Sequence, residues 1–170
     1  PIWFHEGLAK YAEALWNTGA SNYLGASNQS LLAKARVRDS FISYQRMEPS
    51  LVDLDTAEEA QLAYAQSASV IDYILKRHGP PGLRSVLATM AKQQEYGATK
   101  AIEQALRMTF DEFQRRWRQF IDTLNLKVID GLELQTLKLK DSKLSREREE
   151  LAEIKSGVAR THVRLGDRLR

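Results

Sequence analysis

The sequence predicts a mainly α protein, and three observations carry that prediction. Near the start, Phe4, Leu8, Tyr11, Ala12 and Leu15 recur at helical spacing and define one apolar stripe. Further on, Thr109 and Glu112 form a capping box ahead of Phe113, Trp117, Phe120, Ile121 and Leu124, which share one helical face. Between them, Gly79-Pro80-Pro81-Gly82 interrupts a long helical pattern and reads as a helix stop.

A chain of 170 residues suffices for one domain, or one domain with an appendage. A net charge of +3, with 22 acidic residues spread along the chain, is no signature of nucleic-acid binding. The arginines from Arg160 to Arg170 have no interleaved aromatics and read as a solvated helix face. The absence of cysteine excludes disulfides and thiolate metal sites. No apolar run approaches the roughly 18 residues of a membrane span, and no signal peptide is visible. The chain starts with Pro1 rather than Met, so the natural N-terminus is expected upstream.

The first helix should end within 17–25, where Gly19, Asn22 and Gly25 cluster. A weaker helix is expected over 29–37, then an irregular stretch over 39–53. Asp55 with Glu58 resembles a capping box for a helix running to about His78, whose imidazole suits the negative end of the dipole. Leu83, Val86, Leu87 and Met90 mark the next helix, and Ile102, Ala105 and Leu106 a short one after Gly97. Met108 is placed to staple onto Phe113. Arg115, Arg118 and Asp122 form the solvated face of the last of these helices. Trp3, Trp16 and Trp117 read as packing residues.

After residue 125 the pattern changes. "LKVIDGLELQTLKLKD" alternates apolar and polar around Asp130-Gly131, which suits a hairpin or an extended linker that packs its leucines on the helical body. A charged helix begins at Ser145. The expected organisation is a helical domain over 1–125, a linker or hairpin over 126–144, and a charged C-terminal helix over 145–170.

The chemistry sits in "PIWFHEGLAKYAE". His5-Glu6 starts like a His-Glu-x-x-His zinc motif, but Ala9 stands where the second His belongs. On the helical wheel Glu6 and Glu13 fall roughly opposite the apolar stripe, so spacing alone makes Glu6 an exposed carboxylate. Trp3, Glu6, Gly7, Ala9, Tyr11 and Glu13 together resemble the W-x-x-E-G-x-A-x-Y-x-E segment of the gluzincin (peptidase MA-like, aminopeptidase-type) zinc metallopeptidases.

The resemblance covers roughly residues 1–124 and implies the helical C-terminal half of a zincin-like domain. It implies that Glu6 is the third zinc ligand, beside two histidines of an upstream His-Glu-x-x-His helix. A catalytic zinc takes three protein ligands and keeps one position open. Gly7 removes a side chain where two helices come close. In "QLAYAQSASVIDYILKRHG", Tyr64 with Ser67 looks like the family segment whose Tyr stabilises the oxyanion. Small residues Ala63, Ala65, Ala68 and Ser69 would let that helix approach the zinc helix.

The implied function is hydrolysis of a peptide or protein substrate. Without the upstream motif the chain as given is expected to be inactive. The alternative is a non-catalytic helical module that presents its C-terminal helix to a protein partner and binds no metal. "VARTHVRLGDRLR" resembles the opening of a tetratricopeptide-type repeat. The relatives' habits lean toward export or the cell envelope.

Overall fold

A computed structural model describes residues 1–18, 23–48, 50–51, 53–92 and 97–129. These belong to the first of the chain's two units, Pro1–Asp130. The hairpin or linker expected over 126–144 lies outside the described residues from 130 onward, as do the charged helix and the repeat-like end.

Six helices are present among the described residues, and no strand. They are α1 (Ile2–Thr18), α2 (Gly25–Arg38), α3 (Tyr44–Met47), α4 (Ala57–Lys92), α5 (Ala98–Leu106) and α6 (Phe110–Thr123). The mainly α expectation holds. Helix α4 is broken at Gly79, whose φ of 66° and ψ of 179° are not helical, into segments 57–78 and 80–92. Pro80 and Pro81 carry no N–H, so they leave the preceding carbonyls without helical donors and end the first segment. That stop lies where the sequence puts it.

The first segment of α4 is the centre of the core, with α1, α2, α5 and α6 packed around α4. From Leu62 to Ile74 every residue but Tyr64 is buried. A helix buried on all sides must either be apolar or pair its polar groups. This one does both. Its apolar share, among it Ala63, Ala65, Ala68, Val70, Ile71 and Ile74, lets its neighbours approach closely. Its polar share is partnered. Gln66 donates to the Ile42 carbonyl at 2.9 Å and accepts from the Ile42 N–H at 3.0 Å, so one side chain replaces a peptide partner for the segment after α2. Ser69 donates to the Gln66 carbonyl at 2.7 Å and accepts from the Trp117 indole at 3.1 Å, which ties α6 to α4.

Helix α6 forms as its pattern dictates. The Thr109 hydroxyl accepts from the Glu112 N–H at 3.2 Å. Phe113, Trp117, Phe120 and Ile121 are buried, each contributing about 1.5–3 kcal/mol through burial. Its exposed face is tied to the end of α2 by Arg36–Asp122 at 2.8 Å and by an ion pair between Arg118 and Asp39. After α6, Leu126 packs on the core, and the Ser30 hydroxyl of α2 bonds both the N–H and the carbonyl of Ile129.

Several local expectations are corrected. The buried stripe of α1 is Trp3, Phe4, Gly7 and Tyr11, whereas Ala12 and Leu15 are not part of it. The interface centres on Gly7, which rotates positions 12 and 15 outward. Trp16 is 92% exposed and therefore is not a packing residue of this core. The cap of α4 is Thr56, whose hydroxyl accepts from the Glu59 N–H at 3.1 Å, rather than Asp55. Asp55 instead pairs with Arg46 at 2.8 Å. The irregular stretch holds the single turn α3, capped by Ser43.

The Gln66 clamp yields a direct prediction. Gln66→Leu keeps the size but leaves the buried Ile42 N–H and carbonyl unpaired, and should cost about 2 kcal/mol in urea unfolding. An unchanged midpoint would show that the clamp contributes nothing.

Candidate functional site

The site is built where α1 lies on the first segment of α4. Two residue pairs define the contact, Gly7 with Ser67 and Tyr11 with Asp72, and Glu6 lies within electrostatic reach of Tyr64. Residue numbers rise together in these pairs, so the two helices run in the same direction. The closest approach is at Gly7. A Cβ there would sit 2.6 Å from the Ser67 carbonyl oxygen and 2.9 Å from the Ser67 Cβ. Only glycine permits backbone to approach backbone this closely. Ala63, Ala65, Ala68 and Ser69 of this segment are all buried, Ser69 against Trp117 of α6.

Glu6 and Tyr64 flank the close approach, and both are half-buried. Burial pushes the Tyr64 phenol up, and the Glu6 carboxylate pushes it further. The phenol therefore stays protonated at neutral pH and remains a donor. Among the described residues the Glu6 carboxylate has no hydrogen-bond or ion-pair partner. The contact at Gly7 thus puts the Glu6 carboxylate within electrostatic reach of the Tyr64 phenol, the two residues that the sequence singles out. It also draws Glu6 off the fully solvated face that the helical wheel suggests. His5 is exposed. His78 is half-buried, and burial together with Arg116 lowers its pKa. Desolvation and a neighbouring cation thus oppose a charge on His78, against the pull of the helix-end dipole.

One turn further along lies a cluster that sequence reasoning misses. Asp72 is fully buried. It accepts from the Tyr11 hydroxyl at 3.3 Å and from Lys76 Nζ at 2.9 Å. The Tyr11 and Tyr23 rings lie 5.1 Å apart, and both phenols are pushed up by burial and then by Asp72. For Tyr11 the value rises to about 12. The Tyr23 hydroxyl feels Asp72's charge but makes no hydrogen bond of good geometry. A signal for this cluster exists in the chain: a lone Asp in the apolar run "SVIDYIL", with Lys76 four residues on, marks a buried charge that needs a partner.

Among the described residues, no three of His, Asp and Glu come together as a metal-binding group. No described helix is long and apolar enough to cross a membrane. A family model described as Peptidase MA superfamily matches residues 1–123. No curated protein and no solved structure matches the chain.

The helix contact and the buried Asp72 cluster each lead to a prediction. Gly7→Ala should destabilise the fold by about 1–3 kcal/mol through overpacking. Ser67→Gly should not rescue it, because the nearest atom is a backbone oxygen; rescue would mean that the Ser67 side chain sets the approach. The second prediction concerns pH. The Tyr11 phenol is raised in the fold, so its stabilising share is full below its ordinary value of 10.0 and is lost as pH rises toward about 12. Tyr11→Phe should flatten the fall in stability across that window. An identical pH profile in the variant would remove Tyr11 from the linkage.

Proposed function

Because this chain belongs to the peptidase MA superfamily, we propose that it is part of a zinc-dependent peptidase of the aminopeptidase-like gluzincin branch. In this reading residues 1–125 are the C-terminal part of the peptidase domain, 126–144 connect, and 145–170 begin a further helical region. The observation that supports it most is that Glu6, a half-buried residue with no hydrogen-bond or ion-pair partner among the described residues, lies within electrostatic reach of the protonated Tyr64 phenol.

Glu6 fits as one ligand of a catalytic zinc. A solvent-reaching carboxylate that no described cation or donor claims is free to ligate a metal. A single carboxylate does not hold zinc, so the remaining ligands come from outside the described residues. Bound zinc supplies a Lewis acid that activates water and polarises the scissile carbonyl. Tyr64 donates a hydrogen bond to the oxygen that gains negative charge as the carbonyl carbon becomes tetrahedral. The Gly7–Ser67 contact fixes the spacing of these two groups before substrate arrives. The substrate class is a peptide or protein.

In the full-length protein we expect one zinc per chain and its loss in Glu6→Gln. Zinc content unchanged by that substitution would refute the ligand role. Tyr64→Phe should keep the zinc and lower kcat by about 10²–10³-fold, the usual cost of one oxyanion donor. Turnover at the wild-type rate would take Tyr64 out of the mechanism. A full-length protein that binds no zinc would favour the non-catalytic interaction module.

A further inference from the structure

Away from Glu6 and Tyr64, a second cavity of about 360 Å³ opens between the end of the first α4 segment and the middle of α6. It is lined by Tyr73, Arg77, His78, Arg116 and Gln119. Arg77 lies 13 positions beyond Tyr64 on the same helix, a rise of about 20 Å. This cavity is therefore separate from the proposed active site. We propose that it binds an oxyanion, a carboxylate or a phosphate, through the Arg77 and Arg116 guanidiniums.

Both guanidiniums act on one phenol: burial raises Tyr73, while Arg116 and then Arg77 pull it down and Glu112 opposes them. Two cations are thus gathered around one side chain. Only one carboxylate compensates them, since Glu112 pairs with Arg116 and Arg77 has no ion-pair partner among the described residues. An anion relieves the excess positive charge, and planar guanidinium forks match the oxygens of a carboxylate or phosphate. The amide of Gln119 adds a neutral donor at the wall.

The floor is fixed. Tyr73 is 2% exposed and sits edge-on to Phe113, with ring centroids 5.3 Å apart, and to His78, 6.1 Å apart. Gly82 folds back against His78, where a Cβ would lie 2.4 Å from the His78 Cβ. The cavity is of the size of small-molecule sites, which start at about 300 Å³. A cation in the last turn of a helix answers the negative end of the dipole, and this accounts for Arg77's position in α4. It does not account for Arg116, which faces the same cavity from another helix.

The test is an NMR titration of the 170-residue chain with two probes. These are inorganic phosphate, and an acetylated dipeptide with either a free or an amidated C-terminus. The readouts are the guanidinium resonances of Arg77 and Arg116 and the imidazole of His78. We expect saturable shifts in the millimolar range. Arg77→Ala, which breaks no described hydrogen bond or ion pair, should weaken binding about tenfold, as should Arg116→Gln. Arg115→Ala should leave binding unchanged. Response to phosphate alone supports a phosphate site. Response to the free but not the amidated peptide supports a peptide carboxylate site. No saturable shift with any probe, or an equal loss in Arg115→Ala, overturns the proposal and leaves Arg77 as a helix-end cation. None of these outcomes bears on the zinc reading, whose test is metal content.

Discussion

The close approach of Gly7 to the Ser67 backbone is the constraint on which the rest of the structure depends. It sets how deep α1 sits on α4, and so which α1 residues are buried. Trp3, Phe4 and Tyr11 turn inward with Gly7, while Ala12, Leu15 and Trp16 turn out. It also fixes the register, because Glu6 and Tyr64 lie beside it and Tyr11 reaches Asp72 one turn further along. A single methyl group at position 7 would alter all of these together.

Around that contact, the first α4 segment places a polar group at nearly every level and partners most of them. Gln66 holds the chain after α2, Ser69 holds α6 through Trp117, and Asp72 holds α1 through Tyr11. Apolar packing alone would tolerate small rotations of one helix on another. Directional bonds to three different elements do not, and each lost bond would leave a buried polar group unpaired. Such support from the surroundings is what a pair like Glu6 and Tyr64 requires if its spacing is to be set in advance.

Much of the fold can be read from the sequence because its signals are local. The cap and stripe of α6 lie within 16 residues of each other (109–124), and the Gly79-Pro80-Pro81 stop acts through its own backbone. Gly7 is readable as a close approach, though not what it approaches. The errors arise where tertiary contacts decide. Leu15 looks like a core residue by its helical spacing and Trp16 by its type, but the rotation set at Gly7 leaves them outside. His78 looks like a helix-end cation, but burial and Arg116 disfavour its charge. Asp55 looks like a cap, but Arg46 claims it and Thr56 caps instead. Glu6 and Tyr64 are picked out by resemblance, while their proximity, across 58 positions, is a property of the packing.

On this account α1 and α4 hold the Glu6 carboxylate within electrostatic reach of the Tyr64 hydroxyl. The most direct test is the Tyr64 phenol pKa, followed by NMR of ring-labelled tyrosine in the wild-type chain and in Glu6→Gln. If the carboxylate adjoins the phenol, removing its charge takes away one cause of the upward shift, and the Tyr64 pKa falls while burial keeps it above the ordinary tyrosine value of 10.0. An unchanged Tyr64 pKa in the variant would contradict the juxtaposition and the site built on it.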